Sequence, residues 1–386
     1  ESYFSSVALS FISTETKHSS NAPIRQECSS LAPERVVLKA EERMSCAAAV
    51  NMEDQGKGGE MKVDTSASKH CDLTLADLTD LMARVNTAIA SEQANELEAQ
   101  FEAIPLNMIS PKDSPFPLET QYKNLYANVL PNVETLVRLE EDPVGDTISS
   151  YMNANYLQDY FGKKNAFIAT QYPSRWTVGD FWRMVWQESV AVIGMATEVP
   201  RWYERYWPDA DERKKVYGKL CVNVDDVTEH TDYVLTTMTI CIHSHNDDTT
   251  TAAHVSKEAR IVRHFLFKGW PRVGIPLSTD PVLDFIDTIV DANVNSAPII
   301  IHCSAGTGRT GTLAAIKMGM QQFEATGLVN PLAYLRVLRS CRGGSVQTFK
   351  QYLFVHRALL THMRRNSSPP LDTASPPGAL PQVDKG

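Results

Sequence analysis

The sequence predicts an α/β domain in which a mixed β-sheet is flanked by helices. Three observations carry this. Short apolar segments of strand length alternate with amphipathic segments of helix length. Most of the helical segments come late in the chain. And 43% hydrophobic residues over 386 positions are enough to bury a substantial core.

The elements follow in order. Leu75, Leu78, Leu81, Val85 and Ile89 recur at helical spacing behind Thr74-x-x-Asp77, a capping pair. A second helix over Glu98 to Ala103 completes a helical hairpin. Asn165 to Gln171 reads as a short strand, Asp180 to Ser189 as a helix, and Val190 to Ala196 as a buried strand. Thr231 to His243 and Arg260 to Phe267 read as half-buried antiparallel strands, and Pro298 to His302 as a fully apolar one. A helix then runs to roughly Glu324, with two more near Pro331 to Ser340 and Thr348 to Met363; the last opens on the capping box Thr348-x-x-Gln351.

Composition narrows the function classes. The 37 basic and 46 acidic residues give a net charge of -9 and no basic face for nucleic acid, so nucleic acid is not an expected partner. No apolar run reaches membrane-spanning length. Glu1 to Ile12 lacks both the basic start and the cleavage site of a secretory signal, and a chain opening without Met suggests processing or a fragment. Seven cysteines without CxxC or Cys–His ligand spacing indicate free thiols in a reducing compartment rather than a disulfide or zinc scaffold. Residues 1–70 are rich in small polar residues and expected to be disordered, and 366–386 form a proline-rich tail, leaving 71–365 as the domain.

The chemistry concentrates in His302-Cys303-Ser304-Ala305-Gly306-Thr307-Gly308-Arg309-Thr310. It is a strand–loop–helix unit with Cys at the opening of the loop and Arg at its close. Small residues let successive backbone N–H groups turn inward, and the following helix points its positive end at the same spot. Such a trap favours a thiolate at Cys303 and an oxyanion beside it, with the Arg309 fork able to clamp two oxygens. A lone Cys would be read more simply as a small buried hydrophobe; the complete loop outweighs that reading.

With this loop the sequence resembles the protein tyrosine phosphatase family, over roughly Asp72 to Arg365. Lys123-Asn124-Leu125-Tyr126 resembles the phosphotyrosine-recognition loop, and Tyr151-Met152-Asn153-Ala154-Asn155 the turn after it. Phe167 to Gln171 and Asp180 to Trp186 match the family's core, and Gln347-Thr348 with Gln351 the loop that positions the hydrolytic water. The resemblance implies the family's highly twisted mixed sheet and a two-step reaction needing no metal and no cofactor. Cys303 attacks phosphorus to give a phosphocysteine, while Arg309 and the amides of Ser304, Ala305, Gly306, Thr307 and Gly308 hold the equatorial oxygens. Thr310 aids the departing thiolate, Gln347 orients water, and Tyr126, Asn128 and Gln351 contact the substrate. The expected partners are phosphotyrosine-containing proteins, and the expected location is the cytoplasm, including the cytoplasmic part of a receptor.

The departures matter as much. The family's general acid lies on a Trp-Pro-Asp loop, and the matching segment here, Trp270-Pro271-Arg272-Val273-Gly274-Ile275-Pro276, has Arg272 at the acid position. A guanidinium cannot usefully protonate a departing phenolate, a contribution typically worth about 100- to 10,000-fold. Trp207-Pro208-Asp209 is read as a decoy, and Asp280 as a remote substitute. Leu125 replaces an Arg, Asn128 stands where many members have Asp, and Tyr172 replaces the Gly of a Gln-Gly-Pro turn, an exchange expected to call for local rearrangement. Glu198 and Glu204 are candidates to brace Arg309, though either reads more simply as a solvated carboxylate. Two functions are therefore weighed: an attenuated tyrosine phosphatase, and a pseudophosphatase that captures phosphotyrosine or regulates a partner phosphatase or kinase. An empty-pocket interaction domain is the blandest third reading.

Overall fold

The computed structural model describes residues 71–200, 203–209, 211–243 and 258–367. The segment 1–70 and the tail beyond Ser367 lie outside the described residues. Among the described residues nine strands form one mixed, twisted sheet in the order β1-β2-β3-β9-β4-β8-β7-β6-β5. They are β1 (Leu136–Arg138), β2 (Tyr151–Leu157), β3 (Phe167–Thr170), β4 (Val192–Met195), β5 (Lys214–Tyr217), β6 (Leu220–Glu229), β7 (Tyr233–Ile242), β8 (Ala259–Phe267) and β9 (Ile299–His302). The helices are α1 (Leu75–Ala90), α2 (Glu96–Glu102), α3 (Val178–Gln187), α4 (Asp280–Asp291), α5 (Gly308–Thr326), α6 (Pro331–Cys341) and α7 (Phe349–Ser367).

The centre of the sheet is parallel and its flanks antiparallel. β3, β9, β4 and β8 run side by side in parallel, while β1–β2–β3 and β8–β7–β6–β5 pair antiparallel. The run of isoleucines in β9 shows how two cores are built from one strand. Ile299 and Ile301 point into the core shared by α1, α2 and α4–α7, and Ile300 into the core under α3 and the Tyr206–Trp207 segment. This two-sided burial is what a short, wholly apolar central strand predicts.

Register places the carboxyl ends of the parallel strands together: Thr170 lies beside His302, His302 beside Met195, and Met195 beside Leu266. The chain leaves these ends toward Gln171, Cys303, Ala196 and Trp270. Open sheets with parallel strands bind ligands at this edge.

Both expected capping boxes form. Thr74 Oγ1 accepts from the Asp77 N–H while the Asp77 carboxylate accepts from the Thr74 N–H. Gln351 and Thr348 exchange the equivalent pair at the start of α7. On α1, Met82 rather than Ile89 completes the buried stripe, and Ile89 is exposed.

Four expectations are corrected. Tyr151 to Asn155, read as a turn, is the buried strand β2. β1, β5 and β6 and the helix α4 are further elements beyond those expected. The last helix continues to Ser367, two residues into the stretch read as tail. Tyr172, expected to disturb a turn built for Gly, sits fully buried without a positive φ: its N–H donates to Ser304 O at 2.8 Å and its hydroxyl to Glu204 O at 2.9 Å.

Candidate active site

β9 delivers Cys303 to the sheet edge, where only 5% of it is exposed. The loop then turns through Gly306, whose φ is +70°, a left-handed value that favours glycine. A Cβ there would also meet the Thr170 carbonyl oxygen at 2.1 Å, so loop and β3 fit together only without a side chain. Gly308 is closed off in turn by Gln351, whose amide would come within 2.9 Å of an added Cβ. α5 starts here, and Thr307 at its N-cap makes no side-chain capping bond. The first-turn N–H groups thus stay available to an anion at the mouth of the loop.

Arg342 braces the loop from below, and the sequence analysis missed it. It is fully buried. Its Nε donates to Gly306 O at 2.6 Å and one terminal nitrogen to Ala305 O at 3.0 Å. The terminal nitrogens also donate to the Oδ1 atoms of Asn155 and Asn153 at 2.8 and 2.9 Å. Two asparagines two apart on β2 therefore face one guanidinium, the alternation a strand imposes. Burial pulls the Arg342 pKa down to about 10, with the nearby Cys303 opposing that pull, so the group stays cationic at neutral pH. This charge under the loop adds to the field that favours an anion above it.

Behind Cys303 runs a buried chain of three rings. His302 Nδ1 lies 3.2 Å from Cys303 O and its Nε2 lies 2.7 Å from the Tyr206 hydroxyl, which is also 2.7 Å from His264 Nε2. Because a carbonyl only accepts, His302 Nδ1 carries the proton and Nε2 accepts from Tyr206; His264 Nε2 then donates to Tyr206. Burial pulls the His302 pKa down to about 4 and holds that of His264 well below the ordinary imidazole value, so both rings are neutral. His264 Nδ1 is left buried without a partner.

The other expected site residues differ in how closely they join the loop. Tyr126 and Ser304 meet directly, hydroxyl to hydroxyl at 2.7 Å. Gln351 is buried beside the loop and holds the Gln347 N–H at 2.8 Å, leaving the Gln347 side chain exposed. Thr310 is fully buried in the first turn of α5, and its hydroxyl makes no hydrogen bond. Asn128 is exposed and makes no side-chain hydrogen bond among the described residues. Leu125 is half-buried against the core under α3.

Arg309 reaches across to the loop that carries Arg272. One terminal nitrogen donates to the carbonyls of Pro271 and Arg272 at 3.0 and 2.8 Å, the other to Ala196 O at 3.1 Å. Trp270 anchors that loop: it is buried, and its Nε1 donates to Gly274 O at 3.3 Å. Burial lowers the Arg309 pKa, Cys303 and Glu198 work against that, and the Arg272 cation adds to it. Arg309 thus feels one other guanidinium and one carboxylate through space. Glu198 acts at a distance, making no ion pair with Arg309, and Glu204 contributes only its carbonyl, to Tyr172.

The two rival acids are placed elsewhere. Asp209 pairs with Arg205 at 2.9 Å beside the buried Trp207. Asp280 opens α4 and is held by Arg365, which lowers its pKa, the wrong direction for a proton donor.

The sequence profile described as protein-tyrosine phosphatase matches residues 120–361. The chain belongs to the protein tyrosine phosphatase family. It is 37% identical over 293 residues to the receptor-type tyrosine-protein phosphatase R of Mus musculus, covering 74% of this chain and 41% of that protein. It is 38% identical over 269 residues to the Mus musculus tyrosine-protein phosphatase non-receptor type 7, covering 68% of this chain and 70% of the relative. Against the Rattus norvegicus non-receptor type 5 enzyme the identity is 36% over 278 residues, covering 70% and 71%. The chain thus spans less than half the length of its receptor-type relative. No helix among the described residues is long and apolar enough to cross a membrane.

Proposed function

We propose that this tyrosine phosphatase family member captures phosphotyrosine in the Cys303–Arg309 loop and hydrolyses it slowly. The observation that carries this reading is the contact between Arg309 and the carbonyl of Arg272, which holds the acid position against the anion loop with a side chain that donates no proton.

The Cys303 thiolate attacks phosphorus, forming the S–P bond as the P–O bond to the tyrosine breaks. The loop amides, Arg309 and the Arg342 charge beneath them stabilise the transferring group. Without an acid the tyrosine departs as phenolate, whose conjugate acid has a pKa of about 10, so this step is the slow one. Thr310, with its free buried hydroxyl, supports the sulfur as it leaves again. Gln347, held by Gln351, orients the water that cleaves S–P and releases phosphate.

A second reading is favoured by the Arg272 cation near Arg309: the loop retains a phosphotyrosine ligand, or a partner carrying one, more than it turns it over. Turnover of a phosphotyrosine peptide by the native chain and by Arg272→Asp, with Cys303→Ser as blank, separates the two. A gain of about 100-fold or more in the Asp variant supports an otherwise competent loop. Brisk and equal turnover by both means that another group supplies the proton. If neither exceeds the blank while phosphopeptide still binds, the capture reading takes over.

A further inference from the structure

Two cysteines far from Cys303 in sequence face each other across β6 and β7. Cys221 and Cys241 are direct partners in the antiparallel register. Such partners have Cα atoms about 4.5–5.5 Å apart, inside the roughly 4.4–6.8 Å window a disulfide needs. Side chains at paired positions project to the same face of the sheet, and the Cys221 thiol also lies 3.9 Å from Asn223 Oδ1 on its own strand. Both cysteines are reduced. No other cysteines among the described residues occupy paired strand positions.

The two differ in access. Cys221 is buried, while Cys241 is partly open to solvent. Burial raises the Cys221 thiol's pKa, with the Lys214 ammonium pulling the other way. Cys241 is flanked on its far side by Ala259 of β8, and Cys221 by Val216 of β5. The pair lies at the end of β7 opposite Tyr233, the residue that pairs with Phe267 where the chain leaves for the Arg272 loop.

We infer that Cys221 and Cys241 form a second redox site, a dithiol that a peroxide converts reversibly to a cross-strand disulfide independently of Cys303. Cys241, the accessible sulfur, attacks one oxygen of hydrogen peroxide. An S–O bond forms, the O–O bond breaks, and the departing hydroxide is protonated to water, leaving a sulfenic acid. Cys221 then attacks the Cys241 sulfur. The S–S bond forms, S–O breaks, and the hydroxide released takes the Cys221 proton. Two thiols are oxidised and one peroxide is reduced to two waters. A dithiol reductant reverses the bond by exchange.

The test uses the full chain carrying Cys303→Ser, which removes the active-site thiol. It is treated with a small excess of hydrogen peroxide, alkylated after unfolding, and mapped by peptide mass. The expected result is a linked pair of peptides containing Cys221 and Cys241, two hydrogens lighter, with both thiols recovered by dithiothreitol. Cys221→Ser in the same background leaves a sulfenic acid on Cys241 that dimedone traps. In the chain with Cys303 present, Cys241→Ser turns over substrate at the native rate. The inference is overturned if both thiols remain alkylatable after peroxide, if either links instead to another cysteine, or if Cys241→Ser lowers turnover while its thermal unfolding midpoint is unchanged.

Discussion

The loop at 303–309 and the loop at 270–276 sit against each other and have been built to different standards. In the first, nearly every group is committed: Gly306 fits against Thr170, Arg342 grips two of its carbonyls, Gln351 closes it, and most of it is buried. In the second, only the ends Trp270 and Pro276 are buried, and Pro271 to Gly274 between them are exposed, Val273 almost completely. On the proposed reading, the first loop takes the phosphate while the second, with Arg272 at its acid position, offers no proton, so that binding and proton transfer become separable properties.

The comparison can be broken most strongly from below. Arg342→Met leaves two asparagine oxygens and two loop carbonyls without their donor. Unsatisfied buried groups cost about 1–3 kcal/mol each, so unfolding in urea should show a loss of at least 3 kcal/mol or so. A loss under about 1 kcal/mol would mean the brace is dispensable. Next comes Gly306→Ala, which forces the loop off Thr170; a displacement of about 1 Å is enough for a 100-fold fall in turnover and a matching loss of phosphopeptide binding. Unchanged kinetics would show that the loop has slack.

A third test uses pH. His302 and His356 are held to about 4 by burial, and His264 is lowered too. Their unfolded values are about 6.5. The unfolded chain therefore binds more protons between those limits. Stability is complete above pH 6.5 and falls as the pH drops toward 4, by about 1 kcal/mol per histidine over the first unit below 6.5. Urea midpoints at pH 7.5 and 5.5 would reveal this slope; His356→Gln, remote from the loop, should flatten it by its share. A midpoint that does not move would contradict neutral burial of these rings.

Smaller effects sharpen the picture. Tyr126→Phe removes one partly exposed hydroxyl contact with Ser304 and should cost about 1 kcal/mol or less in kcat/KM. Asp209→Asn should leave turnover within about twofold, since its surface pair with Arg205 is worth roughly 0–1 kcal/mol. A larger fall would return the Trp207-Pro208-Asp209 segment to consideration as the acid loop.

How much of this was legible in the sequence follows from locality. The anion loop is contiguous, so Cys303 to Thr310 could be read directly, and Arg272 stood out because Trp270 and Pro271 frame it. The brace could not be read this way, because Arg342 meets Asn153 and Asn155 across nearly 190 positions of chain. β2 passed for a turn because its two buried asparagines interrupt an otherwise apolar run. β6 was hidden by its polar outer half, Asp225 to Glu229, which leaves the core for solvent. A sharper signal was available: asparagines at i and i+2, with Arg339-x-x-Arg342 ahead of Gly343-Gly344, mark a buried cation waiting for amide partners.

Arg309 holds the neighbouring loop by main-chain carbonyls alone. A latch made of backbone is indifferent to which side chain it carries past the pocket. On the proposed reading, the residue at 272 is exchangeable for a donor, a cation or a neutral group without removing the two oxygens that Arg309 grips. Closure and chemistry would then be independent variables, and a single substitution would move the molecule along the axis between retaining a ligand and consuming it.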